Sequence, residues 1–302
     1  TVRLLVGALV RSGNLPRALE VLRQARSLAG FDDDVGNTWL LLEQQVGDRR
    51  MAQRMRENRY RLAPTDLDNA AAYASILSLT SPEREDIVTE LGKQVFTENQ
   101  WNGMDAAARL RELDRVREEW RAKAEKVYGD ILARDPGNID AANAYASMLR
   151  LLGRPADAER MLATAVDKAG TAAGWRGYVL LGQLQCYQQA EDRARESFAK
   201  AIEREDPSTR PATRAIVDTL IGIERHQLAL TYLEPLVQAD PSQGMKLRLA
   251  ECFLRLNRNT DARATFDAAA GGGAREVGME LLDGAINVAI GDDFRVKGDN
   301  AA

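Results

Sequence analysis

The repeating unit of this chain is clearest in residues 142–165, which read ANAYASMLRLLGRPADAERMLATA. In the first half of this stretch, small and apolar residues recur three or four positions apart, at Ala142, Tyr145, Ala146 and Leu149. In the second half, the same spacing returns at Ala158, Leu162 and Ala165. Residues three and four apart lie on one face of a helix, and the glycine between the two halves, Gly153, interrupts the first helix. The stretch therefore predicts two helices joined by a short turn.

Alanine recurs at the position of Ala158 along most of the chain. The series comprises Ala18, Ala52, Ala124, Ala158, Ala194, Ala229 and Ala262. Its steps are 34, 72, 34, 36, 35 and 33 residues, and 72 is near twice the common period. Several units end in a proline, which disfavours a helical conformation of the residue before it: Pro64, Pro136, Pro207 and Pro241. Such a period predicts stacked helical hairpins, because one hairpin alone cannot bury both of its faces.

The pattern resembles the tetratricopeptide repeat (TPR) family, whose 34-residue signature combines W-x2-L-G-x2-Y, A-x3-F and a closing proline. One well-matched unit carries Tyr178, Leu181, Gly182, Ala194, Phe198 and Pro207. In such a unit, a small residue such as Gly182 lets the two helices approach, and Phe198 fills the gap towards the next unit. The resemblance implies an all-α fold: a right-handed α-α superhelix, or TPR solenoid, of about seven helical hairpins with a C-terminal capping helix.

Four segments are expected along the chain. They are N-terminal TPR-like repeats (1–103), a long charged helix joining the two arrays (104–135), C-terminal TPR repeats (136–270), and a capping helix with a polar tail (271–302). The long helix is predicted over 105–134, and its charged first half is expected to project from the array or to bend its axis. After it, the capping helix is predicted over Glu276–Ile290, with a tail from Gly291 onwards.

Composition excludes several classes of protein. Hydrophobic residues make up 45% and aromatic residues 6% of the 302 residues, and the net charge of −4 lacks the basic excess of a general nucleic-acid binder. Cys186 and Cys252 are expected to be buried thiols, and the single histidine, His226, a surface turn residue. With no metal-ligand cluster and no nucleophile motif, we expect neither enzymatic activity nor a cofactor or metal in this segment.

No apolar run is long enough to insert into a membrane. The chain opens at Thr1 inside an amphipathic pattern, so we interpret it as part of a longer precursor of undetermined compartment.

The resemblance also implies a concave groove lined by the first helix of each hairpin. Transferring that geometry selects a partner-binding set: Asn37, Gln44, Asn143, Arg150, Gln183, Arg214 and Asp218. The same transfer places further side chains beside them: Asp34, Leu41, Asp140, Ser147, Arg176, Val179, Leu247, Glu251 and Leu254. This mixed lining differs from the Lys/Asn/Arg-dense clamp by which some family members hold a carboxylate, and a solvated inner face is an equal alternative.

One second helix is unusually basic, with Arg49, Arg50, Arg54, Arg56, Arg59 and Arg61. A solvated outer face, an acidic protein partner and nucleic acid are the three interpretations. Only Tyr60 is interleaved with these arginines, so groups that could stack on bases are few.

The expected function is that of a non-enzymatic scaffold that binds a protein or peptide partner in its groove, with no nucleic acid bound and no oligomeric state assigned. Two alternatives stay open. The repeats could be the regulatory or targeting region of a larger enzyme, or part of a bacterial envelope assembly for polysaccharide or secretion.

Overall fold

The structure is a computed structural model that describes residues 2–25, 33–79, 81–82, 97–271 and 279–299. Every regular element among these residues is a helix, which confirms the all-α repeat fold. The chain divides into two compact units, Thr1–Gly153 and Arg154–Ala302.

The described helices of the first unit are α1 (Val2–Arg11), α2 (Leu15–Ala25), α3 (Asp33–Val46), α4 (Arg49–Leu62), α5 (Leu67–Leu79), α6 (Glu98–Gly103), α7 (Ala106–Arg134) and α8 (Ile139–Leu151). From α1 to α5, each helix packs against the next. Short turns with capping residues set these reversals. At the start of α4, for example, the Asp48 carboxylate accepts hydrogen bonds from the backbone N–H groups of Arg50 and Met51.

A buried carboxylate joins three of these helices. Glu43 on α3 accepts hydrogen bonds from Arg23 Nε (2.9 Å) and Nη2 (2.6 Å) on α2, and from Trp39 Nε1 (2.8 Å). The backbone N–H of Asp48 donates a fourth, at 2.8 Å. Burial by itself raises the pKa of Glu43, but these hydrogen bonds outweigh it and hold the pKa below its ordinary value. The carboxylate is therefore a fully partnered structural group.

The long predicted helix forms as α7, and it pairs with α5. Its buried residues Ala124, Tyr128 and Ile131 belong to the same hydrophobic cluster as Tyr73 and Leu77 of α5. The 72-residue step from Ala52 to Ala124 therefore runs from α4 to α7 and contains the α5–α7 hairpin, whose two helices are far apart in sequence. The sequence also predicts a second helix that opens at Ser81 and Pro82, but residues 83–96 lie outside the described residues.

The described helices of the second unit are α9 (Pro155–Ala169), α10 (Gly174–Tyr187), α11 (Glu191–Ile202), α12 (Pro211–Gly222), α13 (His226–Ala239), α14 (Gln243–Arg255), α15 (Asn259–Ala270) and α16 (Met279–Asp299). Tightly packed pairs are α10 with α11, α12 with α13, and α14 with α15. All seven repeat alanines of the chain are fully buried, so the period follows the cores of both units.

The C-terminal helix extends beyond its prediction. We expected a helix over Glu276–Ile290 followed by a polar tail, whereas α16 continues to Asp299. It packs against α14 and α15, with Met279 and Ile286 buried. Its other side is not polar throughout, since Leu281 is 82% and Val288 65% exposed.

Candidate binding groove in the second unit

A groove of about 1160 Å³ lies among α12, α14 and α16. From α12 come Arg214 and Asp218; from Ser242 and α14 come Gly244, Met245, Leu247, Arg248, Glu251, Leu254, Arg255 and the following Asn257; from α16 come Met279, Leu281, Leu282, Ala285 and Ala289. The helical repeat explains which face of α14 lines the groove. Leu249, Ala250, Cys252 and Phe253 are buried in the core, so the groove is lined from the other side of the helix, which carries Leu247, Glu251 and Leu254.

One wall of the groove is ionic. Arg248 Nη1 pairs with Asp218 and so links α14 to α12. Arg214 Nη2 lies 2.7 Å from Asp240 Oδ2, and this hydrogen bond lowers the pKa of Asp240. Along α14, Arg255 lies 3.9 Å from Glu251. These partly exposed pairs contribute little to stability, but they hold both signs of charge at fixed places along the wall.

The facing wall on α16 is apolar. Leu281, Leu282, Ala285 and Ala289 line it at helical spacing. Leu281 is exposed, and Leu282 packs against the core cluster of the unit. A groove with one apolar and one ionic wall can hold a segment that is itself amphipathic.

Some, but not all, of the groove residues predicted in the second unit lie together in the structure. Arg214 and Asp218 line the groove, together with the flanking Leu247, Glu251 and Leu254. Gln183, half-buried on α10, is outside this lining. Val179 was wrongly placed on the inner surface: it is 5% exposed and packs in the core.

In the first unit, Asn37 on α3 accepts a hydrogen bond from Arg59 Nη1 of α4. Asn143 and Arg150 are half-buried on α8 and lie seven residues apart, two turns along one helix face. The side chain of Gln44 lies outside the described residues. The groove role of this set stays a prediction.

Sequence reasoning missed the α16 wall and the two arginines of α14. The amphipathic pattern of residues 276–290 predicts a capping helix, but it does not indicate that Leu281, Leu282, Ala285 and Ala289 line a groove. Arg248 and Arg255 lie next to predicted positions, and a signal for them was their spacing of seven residues along α14.

The described residues include few chemically reactive side chains, and none of the cysteines or histidines among them lines the groove. Cys186 and Cys252 are buried, as expected, and burial raises the pKa of each thiol to about 11. His226 is the first residue of α13, whereas we had expected it in the preceding turn. Within the described ranges, no three His, Cys, Asp or Glu side chains cluster as a metal site would require. Of the helices described, none is both long and apolar enough to cross a membrane.

The sequence profile of the Tetratricopeptide repeat family matches residues 214–276, which include α13, α14 and α15 and most of α12. This segment of the chain carries the tetratricopeptide repeat. The α12 and α14 sides of the groove are therefore first helices of TPR hairpins.

Several solved structures are similar to three quarters or more of the chain. A tetratricopeptide repeat protein from Parabacteroides merdae is 14% identical, covers 96% of this chain and 97% of its own, and has a TM-score of 0.45. The C-terminal part of a TPR repeat-containing protein from Cytophaga hutchinsonii is 15% identical over 93% and 99%, with a TM-score of 0.49. PilF of Pseudomonas aeruginosa is 16% identical over 75% and 87%, with a TM-score of 0.39. None of the curated proteins matches significantly. At such scores, these likenesses carry no argument about function.

Proposed function

We propose that this TPR protein is a non-enzymatic scaffold whose groove among α12, α14 and α16 holds an amphipathic segment of a partner protein. TPR repeats imply a protein-interaction scaffold in general. Binding of an amphipathic segment is supported by the two different walls of this groove. One wall is apolar, with Leu281 82% exposed, and the other is ionic and includes the Arg248–Asp218 pair. Exposed apolar side chains that line a concave surface favour a protein-binding site.

The two walls have different roles in recognition. Apolar side chains of the bound segment would cover Leu281, Leu282 and Ala285, and this burial supplies most of the affinity. Charged side chains on its other face would meet Arg248 and Glu251, whose alternating signs set the orientation and register of the segment.

A peptide-display selection against the purified protein tests the proposal. Selected peptides are expected to alternate apolar and charged residues at helical spacing. Leu281→Asp should weaken their binding by about tenfold or more, because it places a charge in the apolar wall. Val288→Asp is the matched control: Val288 is also exposed on α16 but does not line the groove, so binding should change by less than about twofold. Equal effects of the two substitutions would contradict the proposal.

A further inference from the structure

The second helix of the α3–α4 hairpin departs from the others at one core position. In six other second helices, the residue four positions after the repeat alanine is a hydrophobe that is no more than 4% exposed: Leu22, Tyr128, Leu162, Phe198, Leu233 and Phe266. In α4 the alanine, Ala52, is fully buried like the rest, but the residue four positions later is Arg56. A guanidinium group therefore starts from a position that other units fill with core hydrophobes.

Arg56 has no salt-bridge partner among the side chains that the structure describes. Its side chain is half-buried, and its Nε is buried without a hydrogen-bond partner. Burial lowers the pKa of Arg56, and the positive charge of Arg59 lowers it further. Arginine nevertheless stays protonated in proteins, so this is a cation held in a poorly solvated place.

A second guanidinium, that of Arg59, lies near Arg56 because α3 has no side chain at Gly36. Arg59 packs against Gly36, where an added Cβ would lie 2.5 Å from Arg59 Nη2. Arg59 also donates a hydrogen bond to Asn37 Oδ1, and because this acceptor is neutral, the bond does not compensate the charge of Arg59. The fold therefore brings two like charges together, at an energetic cost that an anion would remove.

The single carboxylate of α4 is engaged elsewhere. The phenol of Tyr73 on α5 has its pKa raised by burial first, and then by the charge of Glu57 and a hydrogen bond with it. On the outer side of α4, Arg54 and Arg61 are exposed and extend the positive surface. α4 therefore carries an excess of cations both on its half-buried side and on its outer side.

We propose that the Arg56–Arg59 pair binds carboxylates of an acidic segment of a partner protein. The planar guanidinium fork matches a carboxylate in a bidentate way, and such charge-assisted hydrogen bonds are strongest in poorly solvated places. Nucleic acid fits less well, because the one aromatic side chain of α4, Tyr60, is already stacked on Tyr73 at 5.3 Å between ring centroids. This site lies in the first unit and is independent of the groove in the second.

The test uses the full chain and a short fluorescein-labelled peptide of alternating Glu and Ser, with a Gln/Ser peptide as the uncharged control. Fluorescence anisotropy is measured for the wild type, Arg56→Leu and Arg54→Leu. Both substitutions remove one positive charge from α4, but only Arg56→Leu removes the half-buried one. We expect Arg56→Leu to weaken binding of the Glu/Ser peptide by about tenfold or more, and Arg54→Leu by no more than about twofold.

Thermal unfolding of the same variants distinguishes loss of the binding site from a general folding defect. Arg56→Leu should raise the melting temperature, because it installs the type of residue that other units carry and removes an uncompensated charge. The proposal is overturned if Arg56→Leu binds the peptide as the wild type does, if Arg54→Leu loses as much, or if Arg56→Leu melts lower. Tighter binding of a single-stranded oligouridylate of equal charge, also lost in Arg56→Leu, would overturn the choice of partner class.

Discussion

Gly182 of α10 and Phe198 of α11 pack so closely that a Cβ added at Gly182 would lie 2.6 Å from Cδ1 of Phe198. On its other side, the Phe198 ring meets Tyr232 of α13 edge-to-face, with centroids 5.8 Å apart. Phe198 thus joins its own hairpin to the next one, as the repeat spacing predicts. The absence of a side chain at Gly182 is what allows the two helices to approach this closely.

Gly182→Ala is expected to destabilise the second unit by about 1–3 kcal/mol, because the new methyl group must displace an enclosed aromatic ring. The change is read from the urea midpoint of unfolding followed by circular dichroism. Gly284→Ala in α16 is the control: apart from the local backbone of α16 itself, no described atom lies within 4 Å of an added Cβ there. Alanine also favours helix, so stability should rise by up to about 1 kcal/mol. A harmless Gly182→Ala would contradict the close approach.

Phe198→Ala is expected to cost about 3–5 kcal/mol, since it opens a cavity where a fully buried ring joins α10, α11 and α13. Denaturant titration measures the loss. Leu281→Ala serves as the control, because an exposed leucine should change stability by less than about 0.5 kcal/mol. If both variants unfold at the same urea concentration, Phe198 is not the core contact between hairpins.

The period predicted the fold because its alanines are core residues. Residues such as Ala194 and Ala262 are fully buried, and a larger side chain there would overpack a close-packed core, so the sequence repeats wherever the packing repeats. The period failed between α5 and α7, where the chain between the two helices is much longer than in the other hairpins. Tyr128 then meets α5 through the fold, which the spacing along the chain does not reveal.

Only one side of the groove could be predicted from the sequence. Arg214 and Asp218 follow from the resemblance, since first helices occupy equivalent places in each repeat. Leu281 belongs to a helix outside the repeat pattern, and its exposure depends on how α16 packs against α14 and α15. The unpartnered Nε of Arg56 likewise required the structure, although its register four residues after Ala52 was readable.

Glu43 makes the stability of the first unit depend on pH. Because its folded pKa lies below its ordinary value, its stabilising contribution is complete above about pH 4.3 and is lost as the pH falls through the lowered folded pKa. Glu43→Gln should cost about 1.5–3 kcal/mol at pH 7, as for hydrogen bonds that involve a charged group. Urea unfolding from pH 7 to pH 3 should show the difference between variant and wild type shrinking at the acid end. A difference independent of pH would argue against an ionised Glu43.

Both cysteines should be chemically inert in the folded protein. With the pKa of Cys186 and Cys252 raised to about 11 by burial, about one thiol in a thousand is ionised at pH 8, and neither is open to reagent. Ellman's reagent should therefore react slowly with the native protein. In concentrated urea it should promptly release two equivalents of thionitrobenzoate per chain, one for each cysteine. Fast labelling without denaturant would show that one of these helices opens readily.

Asn143→Ala combined with Arg150→Ala tests whether the inner face of the first unit takes part in binding. If α8 contacts a partner as the family resemblance implies, affinity for that partner, measured by calorimetry, should fall by about 1–3 kcal/mol, the range for losing hydrogen bonds that include a charged one. Ser147→Ala is the control, since Ser147 lies between the two on the same helix and offers only a hydroxyl. An unchanged affinity in the double variant, with Leu281→Asp still impaired, would confine recognition to the groove of the second unit and leave this face of α8 to solvent.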